Sequence, residues 1–181
     1  GSLASGKTTA SRILSYRRGP LFSADKVVKE FYLNKHFKSL IVRQFKIKNK
    51  NQIKKSLKKL ILENKKNINI LEKIIHPLVR KKMKSFTSHN KNKRLLFYEI
   101  PLLIESKLMK YFNVIIFIKA KKKLRFKRFF SKTGDKKLFN LLNNKQMIDV
   151  KKIKFCDHVV VNEKNLRILK KNLFDIIRKY E

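Results

Sequence analysis

The sequence begins with a phosphate-binding pattern. Gly1 to Thr8 read Gly-Ser-Leu-Ala-Ser-Gly-Lys-Thr and fit the consensus G-x-x-x-x-G-K-[ST]. In such a P-loop, backbone N–H groups turn towards phosphate, the lysine reaches the β- and γ-phosphates, and the Ser/Thr hydroxyl binds Mg²⁺. A helix predicted from Thr9 to about Tyr16 would direct the positive end of its dipole at the same phosphates. The predicted ATP site therefore comprises Gly1, Ser2, Leu3, Ala4, Ser5, Gly6, Lys7, Thr8 and Thr9, with Thr8 as the Mg²⁺ ligand.

A single carboxylate follows the next predicted strand. Asp25 comes directly after the apolar residues of that strand, and open parallel sheets bind their ligands at the carboxyl ends of the strands. Asp25 could there accept a proton from an attacking hydroxyl group. The alternative is that Asp25 caps the following helix, a position at which aspartate is favoured by hydrogen bonds to the backbone.

Short apolar segments alternate with longer helical patterns along the chain. This alternation predicts an α/β fold of the P-loop kinase type, with a largely parallel sheet flanked by helices. We predict strands at residues 19–23, 95–100, 114–118 and 158–161, each followed by a helix, and a closing amphipathic helix from about Leu166. Because a P-loop follows a strand, we also expect a strand ahead of Gly1 in the complete gene product.

Two segments differ from this alternation within a single predicted domain, residues 1–181. Residues 26–90 contain no strand candidate and carry apolar side chains such as Ile53, Leu57 and Leu60 at helical spacing, so we predict a helical insertion between two strands. Residues 129–155 are polar and basic, a composition typical of a mobile flap rather than a core element. We therefore predict a lid over residues 128–155.

Length and composition restrict the class of protein. The 181 residues are 43% apolar, with only 4 glycines and 3 prolines, so the chain can form a core and is not expected to be disordered. Cys156 is the single cysteine, which excludes an internal disulfide and favours a reducing, cytoplasmic compartment. No apolar run approaches the roughly 20 residues that span a bilayer, and we predict no membrane segment.

The net charge is +36, from 48 Lys and Arg against 12 Asp and Glu. A field of that sign attracts polyanions such as nucleic acid. The excess is spread along the whole chain together with abundant Asn, Ile and Phe, residues that share A/T-rich codons. We therefore attribute it to genome composition rather than to selection for binding. A basic nucleic-acid-binding protein with a vestigial P-loop remains an alternative.

Further motifs follow the P-loop in a fixed order. They include Ser23-Ala24-Asp25, His76-Pro77-Leu78-Val79-Arg80 and Ile100-Pro101-Leu102-Leu103-Ile104-Glu105, followed by Phe126-Lys127-Arg128, Gln146, Lys152, Asp157, Val159 and Asn162. In order and spacing, over essentially the whole chain, the sequence resembles the dephospho-CoA kinase family of P-loop kinases. The pair of motifs around His76 and Pro101 is far more specific than the P-loop itself.

The resemblance implies ATP-dependent phosphorylation of the ribose 3′-hydroxyl of dephospho-CoA, to give coenzyme A and ADP. ATP and Mg²⁺ are the implied cofactors, and dephospho-CoA is the implied small-molecule partner. No obligate protein partner, nucleic acid or membrane is expected. Another small-molecule or nucleoside monophosphate P-loop kinase is the second alternative. The resemblance assigns catalytic roles to Asp25, Lys7, Arg128 and Lys132, and substrate contacts to Asp25, His76, Arg80 and Lys152.

The sequence departs from the family's usual pattern at four positions. Ser2 and Ala4 occupy loop positions where glycine is usual. Ser23 replaces the first acid of an Asp-x-Asp pair, which leaves Asp25 to act alone. Lys132 stands where arginine is typical, and an ammonium offers a point charge in place of a planar fork.

Several residues also have purely structural interpretations. His76, which precedes Pro77, could end or kink a helix. Glu99 could reach a Mg²⁺-bound water or be a solvated residue at the edge of the sheet. Glu105 could cap or pair locally, and Cys156 could be a small buried side chain rather than a reactive thiol.

Overall fold

A computed structural model describes the backbone of residues 1–181 and the side chains of residues 1–49 and 51–181. The chain divides into two compact units. The first combines Gly1–Phe22 with Asn92–Glu181, and the second is the continuous segment Ser23–Lys91. In chain order the elements are α1 (Lys7–Ser15), β1 (Leu21–Ser23), α2 (Ala24–Phe31), α3 (Lys35–Gln44), α4 (Ile53–Glu63), α5 (Lys66–His89), β2 (Phe97–Glu99), β3 (Ile116–Lys119), α6 (Lys122–Thr133), α7 (Lys136–Lys145), α8 (Asp149–Ile153), β4 (His158–Val161) and α9 (Leu166–Ile177).

The strands form two short two-stranded sheets. β1 pairs with β2, and β3 pairs with β4 in parallel, with Ile116 opposite His158 and Lys119 opposite Val161. The predicted strand at 158–161 is confirmed at both ends as β4. β1 and β2 lie within their predicted segments, and β3 is shifted by one or two residues towards the C-terminus. The expectation that a helix follows each strand is wrong after β2, where turns and a short 3₁₀ helix at Met109–Tyr111 intervene.

Helices α1 and α9 cover the β3–β4 sheet. Ala10 and Leu14 of α1 pack with Leu169, Leu173 and Ile177 of α9, and the cluster includes Ile118 of β3 and Val160 of β4. These apolar residues recur at helical spacing on α9, so one face of that helix is buried. The first unit thus has its own core, and α1 is fixed at the position where the P-loop ends.

Apart from Ser23, the last residue of β1, the regular elements of the second unit are helices. Its core lies among α3, α4 and α5. Phe37, Ile41, Phe45, Ile53 and Leu57 are buried there, and Ile70, Leu71, Ile74, Ile75 and Leu78 of α5 pack against them. The Asn34 side chain caps α3 by accepting a hydrogen bond from the backbone N–H of Phe37.

Helix α5 continues past Pro77 without interruption. Proline lacks a backbone donor and disfavours helical geometry in the residue before it. Apolar residues of α5 on both sides of Pro77 are packed in the core, and this burial outweighs the local preference. The helix therefore does not end at His76, and the interpretation of His76 as its last residue is wrong.

The segment predicted as a lid is helical. It comprises the end of α6, α7 and α8, and Phe139 of α7 is only 1% exposed. The ring of Phe139 packs against Phe126 and Phe129 of α6, at centroid distances of 5.2 and 5.5 Å. The segment thus contributes a core residue although its composition is polar and basic, and its role as a lid remains a prediction. Within the part of the chain that the structure describes, no helix combines the length and apolar character needed to cross a bilayer.

Candidate active site

The P-loop makes a tight turn immediately before α1. Gly6 has φ +101°, and Ala4 also has a positive φ, of 56°. A β-carbon at Gly6 would lie 2.2 Å from Nδ2 of Asn162, so the loop and the end of β4 approach more closely than a side chain allows. Gly1 lies beside β3, where a β-carbon would meet the carbonyl oxygen of Ile118. Only glycine fits position 6 in this arrangement.

Asn162 and Arg128 attach the loop to the elements around it. The Asn162 amide nitrogen donates to the carbonyl oxygen of Ser5 at 2.9 Å. The Arg128 guanidinium on α6 donates to the carbonyl oxygens of Asn162 at 3.1 Å and Ser5 at 3.5 Å. The structure therefore brings Arg128 to the P-loop.

Lys7, Thr8 and Glu99 lie around the N-terminus of α1. The Lys7 ammonium donates to the carbonyl oxygen of Ser2 at 2.9 Å, which keeps it folded over the loop. The Thr8 hydroxyl donates to the carboxylate of Glu99 at the end of β2. Glu99 is 3% exposed, so the interpretation of Glu99 as a solvated edge residue is wrong. Thr9 lies exposed on the first turn of α1.

The Thr8 hydroxyl and the Glu99 carboxylate form a pair of hard oxygen donors. Mg²⁺ is usually held by one or two such protein ligands together with substrate phosphates and water. The donor set fits that ion, although the described residues contain no cluster of three His, Cys, Asp or Glu side chains that could hold a metal by themselves.

The first residues of the loop are held from the other side by Gln146, which the family motifs include, and by Asp149 and Arg125, which they do not. Gln146 accepts a hydrogen bond from the Leu3 N–H at 2.8 Å, and Asp149 accepts one from the Ser2 hydroxyl. Arg125 donates to the Leu3 carbonyl oxygen at 3.2 Å and to the Asn143 side chain at 2.9 Å. Burial lowers the pKa of the Arg125 guanidinium, and the nearby Asp149 carboxylate opposes that shift.

Lys152 and Glu105 form an ion pair with an N–O distance of 2.6 Å. Lys152 is 2% exposed, so its ammonium lies in the interior, and substrate contact by Lys152 remains a prediction. Cys156 is half-buried nearby, and its thiol donates to the Lys152 carbonyl oxygen at 3.3 Å. Burial raises the pKa of the Cys156 thiol, so it stays protonated at neutral pH and is a poor nucleophile.

The remaining predicted residues lie on α2, α5 and α6. Lys132 is exposed near the end of α6. Asp25 lies in the first turn of α2, and Ser23 is the N-cap of that helix, so the interpretation of Asp25 as the cap is wrong. His76 and Arg80 are one turn apart on α5 and so share a face of it. The structure places Asp25, His76 and Arg80 in the second unit, and their roles remain predictions.

Comparison with known proteins decides the family. A family model described as dephospho-CoA kinase matches residues 1–167. The chain belongs to the dephospho-CoA kinase family. A dephospho-CoA kinase of Bartonella quintana is 33% identical over 182 residues, covering 98% of this chain and 93% of that protein. One of Fusobacterium nucleatum is 30% identical over 178 residues, covering 96% and 92%.

Solved structures share the fold of this chain. A Thermus thermophilus protein matches with a TM-score of 0.80 and 23% identity, covering 100% of this chain and 95% of its own. The dephospho-CoA kinase from Campylobacter jejuni matches with a TM-score of 0.66 and 24% identity, covering 98% and 92%. The predicted P-loop kinase fold is thus confirmed.

The predictions of family and activity are confirmed with it. The protein is a transferase that phosphorylates dephospho-CoA with ATP as phosphate donor. A basic nucleic-acid-binding protein and a kinase for another small molecule are not favoured.

Proposed function

We propose that this chain transfers the γ-phosphoryl group of ATP to the ribose 3′-hydroxyl of dephospho-CoA, using the P-loop and Asp25 as its two chemical components. The observation that carries the proposal is the convergence of Lys7, Thr8 and Glu99 at the N-terminus of α1, with Arg128 bound to the same loop. Phosphoryl transfer requires positioning and charge neutralisation more than covalent help. This arrangement gathers cations, backbone donors and a helix N-terminus for that purpose.

The P-loop residues bind and orient the triphosphate. Backbone N–H groups around Gly6 and the N-terminus of α1 donate to phosphate oxygens. When ATP binds, the Lys7 ammonium gives up its hydrogen bond to the Ser2 carbonyl oxygen, 2.9 Å away, and contacts the β- and γ-phosphates. Arg128, together with Lys132 from the lid over residues 128–155, stabilises the charge of the transferring group.

A magnesium ion would be held by Thr8 through its hydroxyl, with Glu99 as a direct or water-mediated partner, and it would supply charge neutralisation at the phosphates. Both oxygens already lie within one hydrogen bond of each other. Omission of Mg²⁺ from the assay below is expected to abolish turnover.

Asp25 orients the 3′-hydroxyl and accepts its proton as the oxygen attacks phosphorus. His76 and Arg80 bind dephospho-CoA from the helical insertion at 26–90, where their separation of one helical turn gives two donors on one face of α5. A cytoplasmic location, expected from the single cysteine, remains a prediction.

The decisive experiment is a coupled ADP-release assay with dephospho-CoA and a panel of other hydroxyl acceptors, applied to the natural chain and to Asp25→Asn. We expect turnover with dephospho-CoA alone. Asp25→Asn should lower kcat by about 10²- to 10⁴-fold, the usual contribution of a positioned acid or base, and should leave ATP affinity nearly unchanged.

Glu30→Gln is the matched control, because it neutralises another exposed carboxylate of α2 and should leave kcat intact. Unchanged turnover of Asp25→Asn would remove the proposed base. Turnover with a different acceptor, and none with dephospho-CoA, would overturn the proposed substrate.

A further inference from the structure

A buried ion pair lies beside the P-loop. Its members are Lys152 of α8 and Glu105, which lies in the turns after β2. Removing both charges from water is unfavourable, and such a pair persists only where its geometry is good and further hydrogen bonds support it. The 2.6 Å N–O distance makes the ion pair close, although Lys152 Nζ forms no hydrogen bond of good angular geometry with the described residues. The pair therefore links α8 to the turns after β2 within the first unit.

On the Glu105 side of the pair, the backbone supplies the supporting hydrogen bond. The oxygen of Glu105 that binds Lys152 also accepts a hydrogen bond from the Met147 N–H at 3.2 Å. One carboxylate oxygen thus holds two points of a short segment, residues 146–152, which we name the brace. The brace has few other means of holding its place, because Ile148 and Val150 are largely exposed.

The other contacts of the brace lead to the P-loop. Gln146 accepts from the Leu3 N–H at 2.8 Å, and Asp149 accepts from the hydroxyl of Ser2, which is itself buried. The brace thereby fixes the two residues whose carbonyl oxygens meet Lys7 and Arg125. Ser2 occupies a position where the family usually has glycine, and here its side chain serves as an anchor.

We infer that Lys152 and Glu105 are positioning residues for ATP: their ion pair holds the brace, and the brace holds the first turn of the P-loop in its phosphate-binding conformation. A loop that is ordered before binding loses less entropy when the ligand arrives. The effect should fall on ATP and not on dephospho-CoA. The inference rests on the proposed function only in taking the P-loop as the ATP site.

Lys152→Met tests the inference, because it removes the charge and keeps an apolar side chain of similar length. We expect ATP dissociation constants, measured by titration calorimetry without acceptor, to rise roughly tenfold, within the range for residues coupled through a hydrogen-bond network. The KM for dephospho-CoA distinguishes this role from the substrate contact that the family resemblance assigns to Lys152: a positioning role leaves that KM unchanged, whereas a substrate contact raises it. A double variant, Glu105→Leu with Lys152→Met, leaves no unpaired buried charge and keeps the measurement possible if the single variant fails to fold; it should show the same loss of ATP affinity.

Two controls separate positioning from general destabilisation. Lys151→Met removes the neighbouring, exposed lysine of the same helix and should bind ATP normally. Leu173→Ala weakens the core of α9 and should lower the melting temperature without changing ATP affinity.

Natural ATP affinity in the double variant would overturn the inference. An equal rise in the KM of both substrates would overturn it too, because that result indicates a merely structural role. Direct ATP binding requires no turnover, so failure of the proposed reaction with intact ATP binding would be a separate outcome.

Discussion

Gly6 is the residue at which the P-loop has least space. Its φ of +101° is unfavourable for any residue with a β-carbon, and the nearest obstacle is the side chain of Asn162. Asn162 cannot retreat without losing its 2.9 Å hydrogen bond to the Ser5 carbonyl oxygen. Backbone conformation and close packing therefore both require glycine here.

Gly6→Ala is expected to lose ATP binding and to lower the free energy of unfolding by about 1–3 kcal/mol, the range for a residue held in a strained backbone conformation. The clash with Asn162 displaces the loop, and this displacement removes the phosphate site. ATP titration and urea denaturation measure the two effects.

Gly134→Ala is the matched control. Gly134 ends α6 with φ +63°, but a β-carbon there would meet nothing within 4 Å. The control should show a loss of stability and no loss of ATP affinity. Equal loss of ATP affinity in both variants would mean that strain, and not the contact with Asn162, is responsible.

The sequence predicts some site residues much better than others. Lys7 and Thr8 belong to a short pattern with a known mechanism, so they can be identified from the sequence. Arg125 and Asp149 act through contacts with Leu3 and Ser2, which are far away in the chain. A single basic residue among 48 lysines and arginines cannot be identified as a site residue from the sequence. Only the fold distinguishes Arg125 from the other basic residues.

Helices α6 and α7 are joined by an aromatic cluster. Phe139 of α7 lies against Phe126 and Phe129 of α6, and Phe130 extends the cluster towards solvent. These rings hold in place the helix that carries Arg125 and Arg128. The position of both guanidinium groups therefore depends on apolar packing some distance from the phosphates.

Phe139→Ala should lower the free energy of unfolding by about 3–5 kcal/mol, as expected when a buried phenylalanine is truncated and leaves a cavity. Urea denaturation followed by circular dichroism measures the change. Phe155→Ala, a substitution at a residue that is 50% exposed, should cost much less. Equal losses would show that the cluster is not part of the core.

Sequence patterns locate elements well where burial is regular. The apolar run of β4 and the helical spacing of α9 were sufficient, because each has one clearly buried set of side chains. The segment at 129–155 misled because its average composition is polar and basic, which concealed the buried Phe139. Local rules also failed at Pro77, where packing along α5 decides the conformation.

The whole molecule carries a charge of +36. The 12 acidic residues are far fewer than the 48 lysines and arginines, and the ion pairs Arg18–Glu181, Lys59–Glu63 and Lys121–Glu163 are at least partly exposed. Like charges at this density repel one another and destabilise the compact state. Stability should therefore depend strongly on ionic strength.

We expect Tm to rise by several degrees between low salt and about 0.5 M KCl, where the Debye length falls to roughly 4–5 Å and screens repulsion between exposed charges. Differential scanning calorimetry measures the shift. Replacing Lys170 and Lys171, exposed on α9, by glutamine should raise Tm at low salt and reduce the salt dependence. A Tm that falls with KCl would contradict this account of the charge.

The continuous second unit interrupts the first along the chain, and this order has a consequence for biosynthesis. Residues 23–91 can acquire their core as soon as they leave the ribosome, since every member of that core lies within the segment. Helix α1 must wait, because Ala10 and Leu14 find their neighbours only when α9 has been translated. The nascent chain can thus contain a folded second unit while the P-loop, although translated earlier, still precedes a helix that has not yet packed against α9.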